Sequence, residues 1–219
     1  MPKGKAKGRR GGETKAERAL RRAIACELPA IKAVAECCHG FRDEWRECGG
    51  GGADGDAESA VSLWERVDTS RDGVEVLRLC TRIVQGSQSC DSLVALPDAI
   101  GDFASLRMLD LDGCKNLLAL PDTIGKLESL TSLDLTGCES LTALPHAIGE
   151  LRALQRFMLE DCSSLTALPH AIGELDELRR LILISCSSLT ALPESIGGLS
   201  ALQTISLFGC NTTANNSTI

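Results

Sequence analysis

The residues of this 219-residue chain best suited to chemistry are its eleven cysteines and three histidines. Six of the cysteines, Cys90, Cys114, Cys138, Cys162, Cys186 and Cys210, recur every 24 residues. A disulfide framework explains them poorly. Their total is odd, and the charged start Met1-Pro2-Lys3-Gly4-Lys5 has no hydrophobic stretch close behind it, so no secretory signal is read. Zinc sites use clustered spacings such as Cys-x-x-Cys, and none occurs in the periodic set. Outside the period, Cys37-Cys38-His39 with Cys26 and Cys48 raises the same question. Adjacent cysteines point in different directions on a helix, and these spacings match no zinc finger. His146 and His170 sit at equivalent places one period apart, as a metal pair could. The same place holds Asp98, Asp122 and Glu194, as expected of a variable exposed loop position. The chain also lacks a Gly-x-x-x-x-Gly-Lys-Ser/Thr loop, a Gly-x-Ser-x-Gly elbow and a kinase signature set. A non-enzymatic chain with no cofactor and no metal is therefore expected.

The elements that position these residues follow from the period itself. Leu106, Leu130, Leu154, Leu178 and Leu202 are each 24 apart, as are Pro97, Pro121, Pro145, Pro169 and Pro193 and the glycines from Gly101 to Gly197. In Leu130-x-x-Leu133-x-Leu135 the last two leucines alternate with other residues, which predicts a short strand with one buried face. Copies stacked side by side give a parallel sheet. Leu144 must be extended because it precedes Pro145. Pro145 can then open a helical turn, and Gly149 is expected to close it in a left-handed conformation. Ile148 and Leu151 return to the sheet, so about seven apolar side chains per unit meet in one core. Each contributes on the order of 1.5 to 3 kcal/mol when buried. This explains how a chain that is 43% apolar can fold with only 3% aromatics. The cysteine falls just after the strand, where the chain turns inward and backbone groups need partners. A small thiol tolerates burial and donates a weak hydrogen bond there, so a structural column is expected. Stacked thiols would lie roughly 5 Å apart, but their parallel side-chain directions oppose pairing.

These motifs resemble the leucine-rich repeat family, whose signature is Leu-x-x-Leu-x-Leu-x-x-Asn/Cys-x-Leu. The match runs from residue 74 to about 210. Cys-Ser-Ser-Leu-Thr-Ala-Leu-Pro, from Cys162 and again from Cys186, followed by Ile-Gly-x-Leu, is similar to the cysteine-bearing repeats of plant disease-resistance receptors and to Ras-scaffold repeats. The resemblance implies an α/β solenoid, a horseshoe with a parallel sheet on its concave face, used to bind proteins inside the cell. In the first unit, Val74-x-x-Leu77-x-Leu79, the cysteine and Leu96-Pro97 come eight residues late, so a segment is inserted between Cys80 and Ser89. Residues 59–73, with Trp64, look like an amino-terminal cap within a repeat domain spanning 59–219. No comparable cap follows Cys210, which leaves open an exposed end, a dimer contact or a further domain. The sequons at Asn211, Asn215 and Asn216 are expected to be unmodified without export.

Ahead of the repeats the charge reverses. Residues 1–22 hold nine Lys or Arg against Glu13 and Glu17, and the rest of the chain holds 14 basic and 28 acidic groups. A basic disordered tail is expected over 1–13. Weak contact with nucleic acid or a nuclear-import role is conceivable for it, but not a main function on so acidic a body. Thr14-Lys-Ala-Glu17 has the capping-box form and opens a helical segment over 14–48, with Leu20, Ile24, Leu28, Ile31, Ala35 and Cys38 on one stripe. A Gly-rich linker over 49–58 ends it. Leu28-Pro29 through Trp45 resembles a shortened F-box, which keeps a ubiquitin-ligase adaptor as the alternative function. No apolar run approaches the roughly 20 residues of a membrane span, and a cytoplasmic location, with the nucleus open, is expected.

The ligand face is read from strand positions that point away from the core. Asp110, Asp112 and Asp134 form an acidic patch on the early repeats. Met158, Ile182, Ile184 and Phe208 form an apolar cluster on the later ones, bordered by Arg156, Arg179 and Arg180, with Glu160 in the same columns. Grouped apolar residues with Met, Phe and Arg are typical of contact surfaces. A protein ligand is expected here, with its apolar part on the later repeats and a basic group on the acidic end.

Overall fold

The computed structural model describes residues 67–70, 73–78 and 93–212. The basic tail, the helical segment with its F-box-like stretch, the Gly-rich linker, Trp64, the insertion after Cys80, Cys90, Asn215 and Asn216 lie outside the described residues.

Alternation of Leu133 and Leu135 around Asp134 produces strand β4, Ser132–Asp134, and the same pattern places its counterparts. Strands β3 (Met108–Asp110), β5 (Arg156–Met158), β6 (Arg180–Ile182) and β7 (Thr204–Ser206) each span three residues. Two strands precede them, β1 (Val67–Ser70) and β2 (Gly73–Arg78). One seven-stranded sheet runs β1 to β7 in chain order. Only the β1/β2 pair is antiparallel. Leu109, Leu133, Phe157, Leu181 and Ile205 are aligned across the parallel strands at an offset of 24 residues. Leu77 pairs instead with Leu109, an offset of 32. The additional eight residues are thus accommodated between β2 and β3 without disturbing the register.

Opposite the sheet, each unit makes a five-residue 3-10 turn, such as His146–Glu150, preceded by an extended proline. The five prolines hold φ between −67° and −72°, the value their ring imposes. The glycine of this turn corrects one expectation. Gly149 lies inside the turn, and Leu151, at φ −75°, closes it by donating its N–H to the Ile148 carbonyl. A 3-10 turn ended in this way needs no left-handed residue. Gly149 is required for space, because a Cβ on it would sit 2.5 Å from the carbonyl oxygen of Ala171 in the next repeat. The left-handed positions fall elsewhere, just before each cysteine, at Gly113, Gly137, Asp161, Ser185 and Gly209.

The core is a single file of stacked side chains between sheet and turns. In one unit Leu130, Leu133, Leu135, Cys138, Leu141, Leu144, Ile148 and Leu151 are all buried, seven apolar residues and a thiol. Two phenylalanines, Phe103 and Phe157, occupy leucine columns and are fully buried. The last described repeat is less covered: Leu192, Ile196, Leu202, Ile205 and Leu207 are only partly buried. Their equivalents one repeat earlier, Leu168, Ile172, Leu178, Leu181 and Leu183, are buried. No described residue stacks on the far side of this repeat, and the gradient follows from that.

Candidate protein-binding face

Three-residue strands decide which side chains share the concave surface. The first and third residues of each strand point outward and the middle one points into the core, as the burial of Leu109, Phe157 and Leu181 requires. One outward column is therefore Met108, Ser132, Arg156, Arg180 and Thr204. A second is Asp110, Asp134, Met158, Ile182 and Ser206. A depression of about 300 Å³ lies between these columns from β3 to β6. Its walls bring together Asp110, Asp134, Arg156, Met158, Arg180 and Ile182 from the expected face, and add Met108 and Ser132.

The other four expected residues lie outside it. Asp112, Glu160, Ile184 and Phe208 follow the strands by two positions, where the chain has already entered its turn, each just ahead of a left-handed residue. They do not line the depression, and Phe208 is 80% exposed. Arg179 is also exposed, 3.9 Å from Glu177.

Charges on this surface differ in what already occupies them. Asp134 accepts the backbone N–H of Thr136 at 2.9 Å, and Asp110 accepts that of Asp112 at 3.1 Å. Each aspartate uses one oxygen to bend its own backbone out of the strand, the usual turn role of this side chain. The acidic end is therefore partly architectural. Arg156 and Arg180 are exposed and directly opposed across β5 and β6. Neither forms an ion pair within 4.0 Å among the described residues, unlike Lys115 with Glu139 or Arg152 with Glu174 and Asp176.

Behind the sheet edge Cys114, Cys138, Cys162, Cys186 and Cys210 form a buried file of free thiols. Cys138, Cys162, Cys186 and Cys210 each donate to a backbone carbonyl 27 residues earlier, those of Leu111, Leu135, Leu159 and Leu183, at 3.5, 3.2, 3.0 and 2.6 Å. Burial, with the neighbouring thiols as a smaller cause, pushes Cys186 up to about 12 and raises Cys138 and Cys162 as well. These groups stay protonated near neutrality and are poor nucleophiles. His146 and His170 are exposed at the starts of successive 3-10 turns. No group of three or more His, Cys, Asp or Glu suited to a metal occurs among the described residues.

A family model described as a leucine-rich repeat region matches residues 87–218. The chain belongs to the leucine-rich repeat family. No curated protein sequence matches it. Among solved structures, a leucine-rich repeat protein of Leptospira interrogans is 30% identical over 55% of this chain and 30% of its own, with a TM-score of 0.49. The PEPR1-AtPEP1 structure is 20% identical over 86% of this chain and 28% of that one, with a TM-score of 0.51. A leucine-rich repeat protein of Bacteroides thetaiotaomicron is 13% identical over 86% and 38%, with a TM-score of 0.53. The last two likenesses show the fold alone. In all three cases this chain spans less than two fifths of the protein it matches. As in other leucine-rich repeat proteins, the fold is that of a protein-interaction module, and no helix among the described residues is long and apolar enough to cross a membrane.

Proposed function

We propose that this leucine-rich repeat chain binds a protein ligand in its concave depression, as a non-enzymatic recognition part of a cytoplasmic signalling or defence-type receptor or scaffold. The observation that carries this reading is the meeting of Met158 and Ile182 with Arg156 and Arg180 in one hollow whose other end is acidic. Half-buried apolar side chains next to uncommitted guanidinium groups gain from a partner that removes the first from water and neutralises the second. The four thiols, held reduced as hydrogen-bond donors, support a reducing compartment. Replacing Ile182 and Phe208 with Asp tests the ligand face. Proteins recovered by the wild-type chain in an affinity purification should be lost from this variant, and unchanged recovery would sink the reading.

A further inference from the structure

Arg156 and Arg180 are an unusual pair for a sheet to keep. They face each other on neighbouring strands, which lie roughly 4.8 Å apart, and like charges so placed disfavour the free fold. Both are exposed, so neither is needed to fill the core. Some exposed cations elsewhere meet acids, Lys115 meeting Glu139 at 3.3 Å and Arg152 meeting Asp176 at 3.1 Å, and Lys126, exposed without an ion pair among the described residues, has no second cation opposite it on a neighbouring strand. The two arginines of the depression have no such partner among the described residues. A planar carboxylate between two guanidinium groups can accept from both at once, and that is the group such a pair is built to hold.

The surroundings specify what carries the carboxylate. Met158 and Ile182 lie on the same strands as the two arginines, two positions on, and offer apolar surface at once beside the charge. Asp110 and Asp134 occupy the equivalent places on the two preceding strands. A nucleic-acid or other polyanionic backbone passing over the arginines would also be laid across these aspartates and be repelled. A protein segment with mixed charge is not. From the aspartate pair to the arginine pair is two strand spacings across and two residues along, roughly 12 Å, which an extended chain covers in about three to four residues.

We propose that the Arg156–Arg180 pair seats an aspartate or glutamate side chain of an extended protein segment. An apolar neighbour in that segment rests on Met158 and Ile182, and a lysine or arginine about three positions away faces Asp110 and Asp134. This deepens the ligand-face reading and rests on it.

A peptide library displayed on phage and selected against the full chain tests it. The enriched peptides should share an acidic residue next to an apolar one, with a basic residue three or four positions off. Their affinity, measured by fluorescence polarisation, should fall at least tenfold in Arg156→Gln/Arg180→Gln and further in Arg156→Glu/Arg180→Glu. Replacing the peptide's acid with lysine should restore binding to the charge-reversed variant. Thermal melting checks that these surface variants are folded. Loss of binding in Ile182→Asp together with full binding by the double Gln variant overturns the carboxylate seat and leaves the concave-face reading standing. Peptides that bind Ile182→Asp as well as wild type, or a selection that enriches nothing, overturn both. Enriched peptides without acidic residues overturn the seat alone.

Discussion

The thiol of Cys186 donates to the backbone carbonyl of Leu159, one repeat plus three residues earlier, at 3.0 Å. Both groups are inside the protein, so the bond ties successive repeats at the point where the chain leaves the sheet. Removing the donor by Cys186→Ala takes away this tie and leaves a small void. A cost of about 1 to 3 kcal/mol is expected, read as a lower urea midpoint. A midpoint unchanged from wild type would show that the bond contributes nothing.

The same burial sets a dependence on pH. The Cys186 thiol is raised from an ordinary 9.0 to about 12 by burial first and by Cys210 second. Above pH 9 the unfolded chain loses this proton while the folded chain keeps it, so the unfolded state binds fewer protons and stability falls as pH rises. Stability from this group is complete below about pH 9 and declines as pH rises from there toward about 12. Urea midpoints from pH 7 to 11 should show the decline, and Cys186→Ala should make it shallower. Equal slopes in the two proteins would contradict the assignment.

How far this arrangement can be read from sequence differs from residue to residue. The 24-residue period places Leu133, Leu135 and Ile148 because burial repeats with it. It also places Gly149 correctly along the chain, but the reason for that glycine is not legible. A glycine needed for a left-handed turn and one needed for a neighbour's carbonyl look alike in sequence, and only the approach of Ala171 separates them. Strand alternation puts Asp112, Glu160, Ile184 and Phe208 in the outward columns of the ligand face, while the depression itself is lined by residues of the three-residue strands alone. The strands end after three residues, where Asp110 and Asp134 fold back onto their own backbone. A glycine before the cysteine at 113, 137 and 209 is the available sign of that turn.

Gly149 and Gly197 occupy the same place in different repeats and should respond differently. A methyl group on Gly149 must displace the backbone of Ala171, whereas a methyl group on Gly197 would have no described atom within 4 Å. Gly149→Ala should therefore destabilise by about 1 to 3 kcal/mol through overpacking, and Gly197→Ala should stay within about 0.5 kcal/mol of wild type. Parallel thermal melts of the two variants check this contrast.

Asp161 and Ser185 hold φ values of 55° and 59° at the position where three other repeats have glycine. A side chain in that region costs roughly 1 to 2 kcal/mol, less for Asp than for Ser because its carboxyl can bond locally. Glycine removes the strain but gives the unfolded chain more freedom, by roughly 0.5 to 1 kcal/mol. Ser185→Gly should thus stabilise by about 0.5 kcal/mol or slightly more, with Asp161→Gly close to neutral. A fall in melting temperature for Ser185→Gly would mean that its side chain makes a contribution larger than the strain.

Arg180 gives the last contrast, between stability and binding. Opposed to Arg156 on the next strand and with no ion pair among the described residues, it adds repulsion to the free fold. Arg180→Gln keeps much of the length and the polar end while removing the charge. It should raise stability by about 0.2 to 1 kcal/mol, with the gain shrinking in high salt as screening weakens the repulsion in wild type. The same substitution should weaken ligand binding, because the lost guanidinium is one of the two donors available to a carboxylate. Unfolding curves at low and high salt measure the first effect. A variant less stable than wild type at low salt would show that Arg180 is held by favourable contacts in the free chain, and the pair would then be structural.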